Sequence, residues 1–337
     1  MTPGFSSDQL CFPGFNVSCV RTQFNVWTRM ALFVVFALGM GVTILGNAVV
    51  IVSISHFKQL HSPTNVLISS LALVDLLVGV FAMPFSAIRT VHGCWFYGEV
   101  FCELHSSFDV FLTTLSILHL ICIAVDRHEA ICNPLHYSMK ITIPVAWIMV
   151  CWSWVLAAVY SFGVHYSKAN VAGLEDIIET MKCLGSCFLI YNQLWGILDS
   201  VLSFFFSCTV MVCLYTKIFT VAKEHARKIS NMKNSSNDKG AGGIKQSEHK
   251  AAKTLSIVLG AFIVCWMPLF TVALFESIFG SFTPVAVFEA FFWLGYFNST
   301  LNPIIYALCY PSFKKCFYCI ITLKIFSPNS STMNISL

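Results

Sequence analysis

The sequence predicts an all-α fold, a bundle of seven membrane-spanning helices followed by a short amphipathic eighth, and three observations carry that prediction. Of 337 residues, 57% are hydrophobic and 11% charged, where an average soluble domain is roughly a quarter charged. Seven apolar stretches of about the 20 residues that a spanning helix needs follow one another, separated by short polar segments. The Lys and Arg residues are shared unevenly among those segments. With the N-terminus outside, the outer segments hold Arg21, Arg29, Arg89, Lys168 and Lys182, which leaves 15 of the 20 basic residues inside, the cytoplasmic excess that sets orientation.

The spans are read as Trp27 to Ser55, Asn65 to Ile88, Leu104 to Val125, Ile141 to Val164, Phe188 to Thr216, Thr254 to Phe275 and Pro284 to Leu308. This divides the chain into an outer segment (1–26), a spanning domain (27–310) and an amphipathic helix with a cytoplasmic tail (311–337). Residues 1–26 lack the basic start and apolar core of a cleavable signal, so the first span is expected to direct its own insertion. The sequon at Asn16 then falls where glycans are added, whereas those at Asn234, Asn329 and Asn334 fall inside. The polar stretch Ser230 to Gly243 reads as a mobile loop. A net charge of +4 is the inner-loop excess already counted and gives no reason to invoke nucleic acid. The chain is expected to need no cofactor beyond a candidate sodium ion.

Six of the 15 cysteines, Cys11, Cys19, Cys94, Cys102, Cys183 and Cys187, lie on the outer side, an even number in an oxidising compartment, so disulfides are expected. Spacing alone does not pair them. Cys316 and Cys319, beside Lys314 and Lys315 just past the last span, read as juxtamembrane thiols open to palmitoylation.

Ionisable groups at bilayer depth are costly, and each is a functional hypothesis by default. The spans contain three deep carboxylates, Asp75, Asp109 and Asp199, and no Lys or Arg at mid-span to neutralise them. Ser116, Asn298, Ser299 and Asn302 are candidate oxygen donors near Asp75, the kind of set that a small hard cation such as sodium takes. Asp109 and Asp199 are placed at similar depth, about one to three turns from the outer surface at ~1.5 Å per residue. On helices packed ~8–10 Å apart they are expected to face each other across a pocket. A diamine matches that arrangement, because an alkyl ammonium, with a reference pKa near 10.4, is charged at neutral pH. Trp266, Phe270, Phe292, Trp293 and Tyr296 supply ring faces that attract ammonium groups, and Ser106, Val110 and Thr113 complete the candidate ligand set around Asp109. The competing reading of Asp109 is an acid bonded to Tyr296, and that of Asp199 an acid turned toward a neighbouring helix.

Gly46-Asn47, Leu71 to Asp75, Asp126-Arg127-His128, Cys265-Trp266-Met267-Pro268 and Asn302-Pro303-Ile304-Ile305-Tyr306 stand in order along the chain. On these motifs it resembles the rhodopsin-like G-protein-coupled receptors from Trp27 to Phe317. Asp109, seven residues after Cys102, resembles the ammonium-gripping Asp of aminergic receptors. The run Asn298 to Pro311 and the Cys183 to Cys187 segment are similar to the trace amine-associated receptors. An acid at Asp199 is similar to that of olfactory members tuned to diamines and polyamines, many of them in fishes and other aquatic vertebrates.

The resemblance implies the disulfide Cys102–Cys187 and suggests Cys19–Cys183, with Cys11 and Cys94 undecided. It also implies coupling to a stimulatory G protein that raises cyclic AMP, with Asp126, Arg127, Tyr215 and Tyr306 taking part in activation and Pro268 and Pro303 as pivots. The chain departs from the pattern at three positions. Ser207 stands where the fifth span normally has Pro, which would remove a kink and could turn Asp199. His128 stands for the usual Tyr, adding a titratable group at the G-protein face, and Ser312 stands for a Trp.

Other classes fit less well. A transporter of organic cations would be betrayed by internal repeats and matched broken spans, which the sequence lacks. A retinal pigment needs a Lys in the seventh span. No metal-ligand or nucleophile constellation marks an enzyme. Within the receptor class, peptide or lipid ligands are disfavoured by Asp109, and a monoamine receptor that does not use Asp199 is the nearer alternative.

Overall fold

Local sequence signals start the helices. Asn25 accepts a hydrogen bond from the Thr28 amide (2.7 Å), Ser62 from that of Asn65 (3.2 Å) and Asn192 from that of Trp195 (3.0 Å), each satisfying a donor that a helix N-terminus leaves bare. Pro63 occupies the first helical turn behind Ser62, where its missing N–H costs nothing. The computed structural model describes residues 9–15, 17–233, 243–280 and 283–334. The Asn16 sequon and residues 234–242 of the polar stretch lie outside the described residues.

The seven spans are the helices Val26–His56, Pro63–His92, Glu99–Cys132, Ile143–Tyr166, Gln193–Glu224, Ser256–Phe279 and Val285–Cys309. The first six are long and apolar enough to cross a membrane on their own, and the seventh is so together with Ser312–Ile321, from which it is bent by 104°. Several boundaries differ from the sequence reading: the third span runs on to Cys132 past Val125, the fifth to Glu224 past Thr216, and two starting points move as well. The third span starts at Glu99, well before Leu104. The fifth starts at Gln193 instead of Phe188, because Cys187 is tethered to the third span and the Asn192 cap sets the first turn.

Two spans carry a wide, π-helical stretch, Val78–Ala82 in the second and Asp199–Phe206 in the fifth. Such insertions change the phase of every side chain beyond them and recur at functional sites. Ser207, which stands where a kink-forming proline was expected, follows directly on the widened stretch of the fifth span. The helix is widened directly ahead of Ser207 without a proline, and the Ser207 hydroxyl donates to the Leu202 carbonyl five residues back (3.4 Å).

Packing within the bundle is close where the chain has small residues. A Cβ placed on Gly46 would come within 2.7 Å of Pro303, so glycine is what lets the first and seventh spans approach at that level. Among the polar core residues, His119 Nδ1–H donates to the Leu115 carbonyl (2.8 Å). Its Nε2 then accepts from Ser70 (2.7 Å), whose oxygen takes the Trp154 indole N–H (3.1 Å). This chain ties the second, third and fourth spans.

At one end of the bundle three disulfides bind the loops. Cys102–Cys187 and Cys19–Cys183 pair as the resemblance implied, and Cys11–Cys94, undecided from sequence, forms the third. They fasten residues 9–15 and 17–21 across the loops, with Cys11 N–H donating to Cys19 O (2.9 Å), Cys19 N–H to Leu184 O (3.0 Å) and Trp95 N–H to Gly185 O (2.8 Å). At the other end the helix Pro311–Ile321 follows the bend. Its Cys316 and Cys319 are buried, and the Cys319 thiol donates to the Met333 sulfur (3.9 Å). The expectation of open thiols is thereby corrected, since the amphipathic helix turns both cysteines toward the bundle, and the tail, held by a His56–Ser330 contact of 2.9 Å, folds over them.

Candidate functional site

Asp109 is buried in the third span. Its Oδ2 accepts the Tyr296 hydroxyl from the seventh span (2.8 Å), and that hydroxyl lies 3.1 Å from Ser86 of the second. Asp109 Oδ1 is buried without a hydrogen-bond partner. A carboxylate with one oxygen oriented and the other bare is incompletely satisfied, a condition that buried polar groups ordinarily avoid. The acid opens onto a narrow cavity with room for about one water molecule, lined by Val78, Leu112, Thr113, Ser116, Trp266, Tyr296, Asn298 and Ser299 as well as Asp109 itself. Trp266 reaches this cavity because Gly295 lies beside it; a Cβ there would stand 2.8 Å from the indole.

The structure also brings in His105, which sequence reading missed. One turn above Asp109, its Nδ1 lies 3.5 Å from Asp109 Oδ2, while its Nε2–H donates to the Ala82 carbonyl (3.2 Å). With Nε2 already carrying a hydrogen, a second proton on Nδ1 would make this contact an ion pair. The i, i+4 spacing of His105 and Asp109 was a signal that could have found it. Arg89, a nearby guanidinium, is engaged by Glu289 (3.1 Å), which also accepts from Thr90 (2.5 Å).

The aromatic set divides. Trp266 and Tyr296 line the cavity. Phe270 stacks on Phe204 (centroids 4.6 Å apart), Phe292 sits 6.2 Å from Tyr296, and Trp293 stacks on Phe36 (3.6 Å) and donates to Thr90 (3.0 Å). The last three therefore flank the cavity instead of lining it. Of the residues expected beside Asp109, Thr113 lines it, and the buried Ser106 and half-buried Val110 do not.

Asp199 is not brought into this cavity. Its Oδ1 accepts the Tyr160 hydroxyl of the fourth span (2.6 Å) and the Ser203 hydroxyl (3.1 Å). At the start of the widened helix, Asp199 is bonded to the fourth span, the arrangement that the competing reading of this acid expected. Oδ2 takes no hydrogen bond among the described residues.

Asp75 lies deeper, fully buried, and accepts from the Asn302 amide (2.7 Å). Asp75 Oδ1, Asn298 Oδ1 and Asn302 Oδ1 are buried and unpartnered, and Ser116 and Asn298 line the lower part of the Asp109 cavity. These orphaned oxygens fit the chemistry of a small hard cation.

At the end opposite the disulfides, Arg127 is held by Asp126 (2.7 Å) and also donates to Thr64. Thr64 (2.7 Å) and Tyr137 (2.8 Å) both donate to Asp126. Tyr137, on the short helix Pro134–Lys140, is a further partner that motif reading did not name. His128 lies 3.8 Å from Glu129. Tyr215 and Tyr306 are buried, Tyr306 with its hydroxyl unpartnered and its ring 5.9 Å from Phe313. Pro268 and Pro303 lie inside their helices.

Residues 46–306 match the family model of the 7 transmembrane receptor (rhodopsin family). Trace amine-associated receptor 13c of Danio rerio is 55% identical over 331 residues, covering 98% of this chain and 97% of the relative. Trace amine-associated receptor 4 of Rattus norvegicus is 44% identical, covering 97% and 95%, and trace amine-associated receptor 9 of Mus musculus is 41% identical, covering 99% and 98%. A receptor family, and neither an enzyme nor a transporter, thus accounts for the bundle, the Asp126–Arg127 pair and the buried acid of the third span. The chain belongs to the trace amine-associated receptors of the rhodopsin family.

Proposed function

We propose that the chain is a plasma-membrane receptor for protonated amines, and that diamines or polyamines bridging Asp109 and Asp199 are its ligands. The observation that carries this reading is the bare Oδ1 of Asp109, next to a cavity walled by Trp266 and Tyr296. An ammonium there satisfies the oxygen by a charge-assisted hydrogen bond and meets aromatic faces. The relatives' names, which refer to trace amines, point the same way. The free Oδ2 of Asp199 is the acceptor for a second ammonium.

In this reading the disulfide-bearing end and the N-terminus face outside, with a glycan on Asn16. The spanning domain is 27–310, flanked by the outer segment 1–26 and by the amphipathic helix and tail 311–337 on the inner leaflet. Ligand binding shifts the receptor only by its differential affinity for the active state. Pivoting at Pro268 and Pro303 releases Arg127 from Asp126, and Tyr215 and Tyr306 stabilise the opened inner cleft. His128 and the basic segment Lys217 to Lys253 border a stimulatory G protein that raises cyclic AMP, in olfactory sensory neurons. Sodium at Asp75, with Ser116, Asn298 and Asn302, biases the resting state; Asp75→Asn is expected to remove the sodium sensitivity of agonist binding, measured as agonist displacement with and without sodium.

One observation favours a second reading, a monoamine receptor in which Asp199 is no ligand contact: Tyr160 holds that acid outside the lining of the Asp109 cavity. Cyclic AMP output in transfected cells, measured against α,ω-diamines of rising length and matched monoamines, separates the two. An optimum diamine length is expected. Potency that ignores the second amine supports the monoamine reading, and silence toward every amine defeats both.

A further inference from the structure

The two deep acids are restrained in different ways. Asp109 is met by Tyr296 and His105 at the cavity wall, whereas both donors to Asp199, Tyr160 and Ser203, end on the same oxygen, Oδ1. Ser203 lies on the same helix as Asp199, one widened turn further on, and moves with it. Tyr160 is therefore the hydrogen bond that ties the Asp199 carboxylate to another helix, the fourth span. At 2.6 Å it is of the short, charge-assisted kind. Oδ2 is left without a hydrogen bond among the described residues, so the carboxylate is held by one side and presents the other. Tyr191, on the segment leading into the fifth span, packs against His165 of the fourth (6.1 Å), so a second aromatic ring stands near this helix pair.

We propose that Tyr160 is a positioning residue that determines ligand length: by holding Asp199 against the fourth span, its hydroxyl sets the separation between the two carboxylates, and so the diamine that reaches both. The inference rests on the diamine reading given above. Removing the hydroxyl while keeping the ring, as in Tyr160→Phe, frees the Asp199 carboxylate to change rotamer and swing toward the third span. The gap between the acids then shortens, and shorter diamines gain relative to longer ones. A tyrosine that merely packed between helices would change all ligands alike when its hydroxyl was lost.

The test uses full-length, epitope-tagged receptor matched for surface level in transfected cells, with agonist-driven G-protein recruitment measured for a series of α,ω-diamines and matched n-alkylamines. Tyr160→Phe is expected to move the optimum diamine length down by one or more methylenes, with n-alkylamine potency kept within about threefold. Tyr160→Phe combined with Asp199→Asn is expected to match Asp199→Asn alone, since the hydroxyl acts through that carboxylate. An unmoved optimum in Tyr160→Phe overturns the proposal. Equal losses for diamines and n-alkylamines in Asp199→Asn overturn the diamine reading instead. Should Tyr160→Phe not reach the surface, Tyr160→Leu, which likewise removes the hydroxyl that meets Asp199, is read in the same series. A shift of the optimum toward shorter diamines supports the proposal, and no shift overturns it.

Discussion

Asp109→Asn is expected to abolish the response to every amine. The substitution keeps the size of the side chain and leaves an acceptor for Tyr296, so the fold is preserved and the charge alone is lost. An ammonium then enters a buried site with no counter-charge, and removing one partner of a buried ion pair costs about 3–5 kcal/mol. At 1.4 kcal/mol per tenfold, this is a loss of roughly a hundredfold to several thousandfold in potency. The measurement is an amine dose–response at matched surface expression; robust signalling by the variant would refute the anchoring role. Glu289 does not replace the lost charge, because Arg89 and Thr90 already engage it.

The second large effect is expected at Asp199→Asn, and it is selective. Asp199 offers a free oxygen to a second ammonium and is only half-buried, so the lost interaction is nearer that of a hydrogen bond to a charged group, about 1.5–3 kcal/mol. Diamine potency should fall roughly ten- to hundredfold, while monoamines, which never reach this acid, change by less than about threefold. Asn retains an acceptor for the Tyr160 hydroxyl, which keeps the fourth and fifth spans together. Parallel dose–response curves for a diamine and the n-alkylamine of equal length decide it, and equal losses would remove Asp199 from the ligand site.

The contrast between these two acids shows what could be read before folding. The cost of placing Asp109 and Asp199 within apolar spans was visible in the chain, because charges inside apolar stretches are costly wherever the helices turn. Their partners were not. Helical periodicity assumes 3.6 residues per turn, and the widened stretches Val78–Ala82 and Asp199–Phe206 break that phase. Asp199 consequently meets Tyr160 instead of the Asp109 cavity, and the Ala82 carbonyl meets His105. Likewise, apolar rings gathered near one depth identified an aromatic cluster, but only packing separated Trp266 and Tyr296, which line the cavity, from Trp293, which stacks on Phe36.

By itself the sequence determined the class of fold, the number of spans, an even set of cysteines on the N-terminal side of the bundle and the presence of three acids within the spans. All of these follow from hydropathy and charge, summed along the chain without regard to direction. Tertiary structure alone decided the Cys11–Cys94 pairing, the burial of Cys316 and Cys319, and which oxygen of each carboxylate stays bare. Those depend on where side chains point once helices widen, bend and pack, and direction is a property that no single segment possesses before its neighbours are in place.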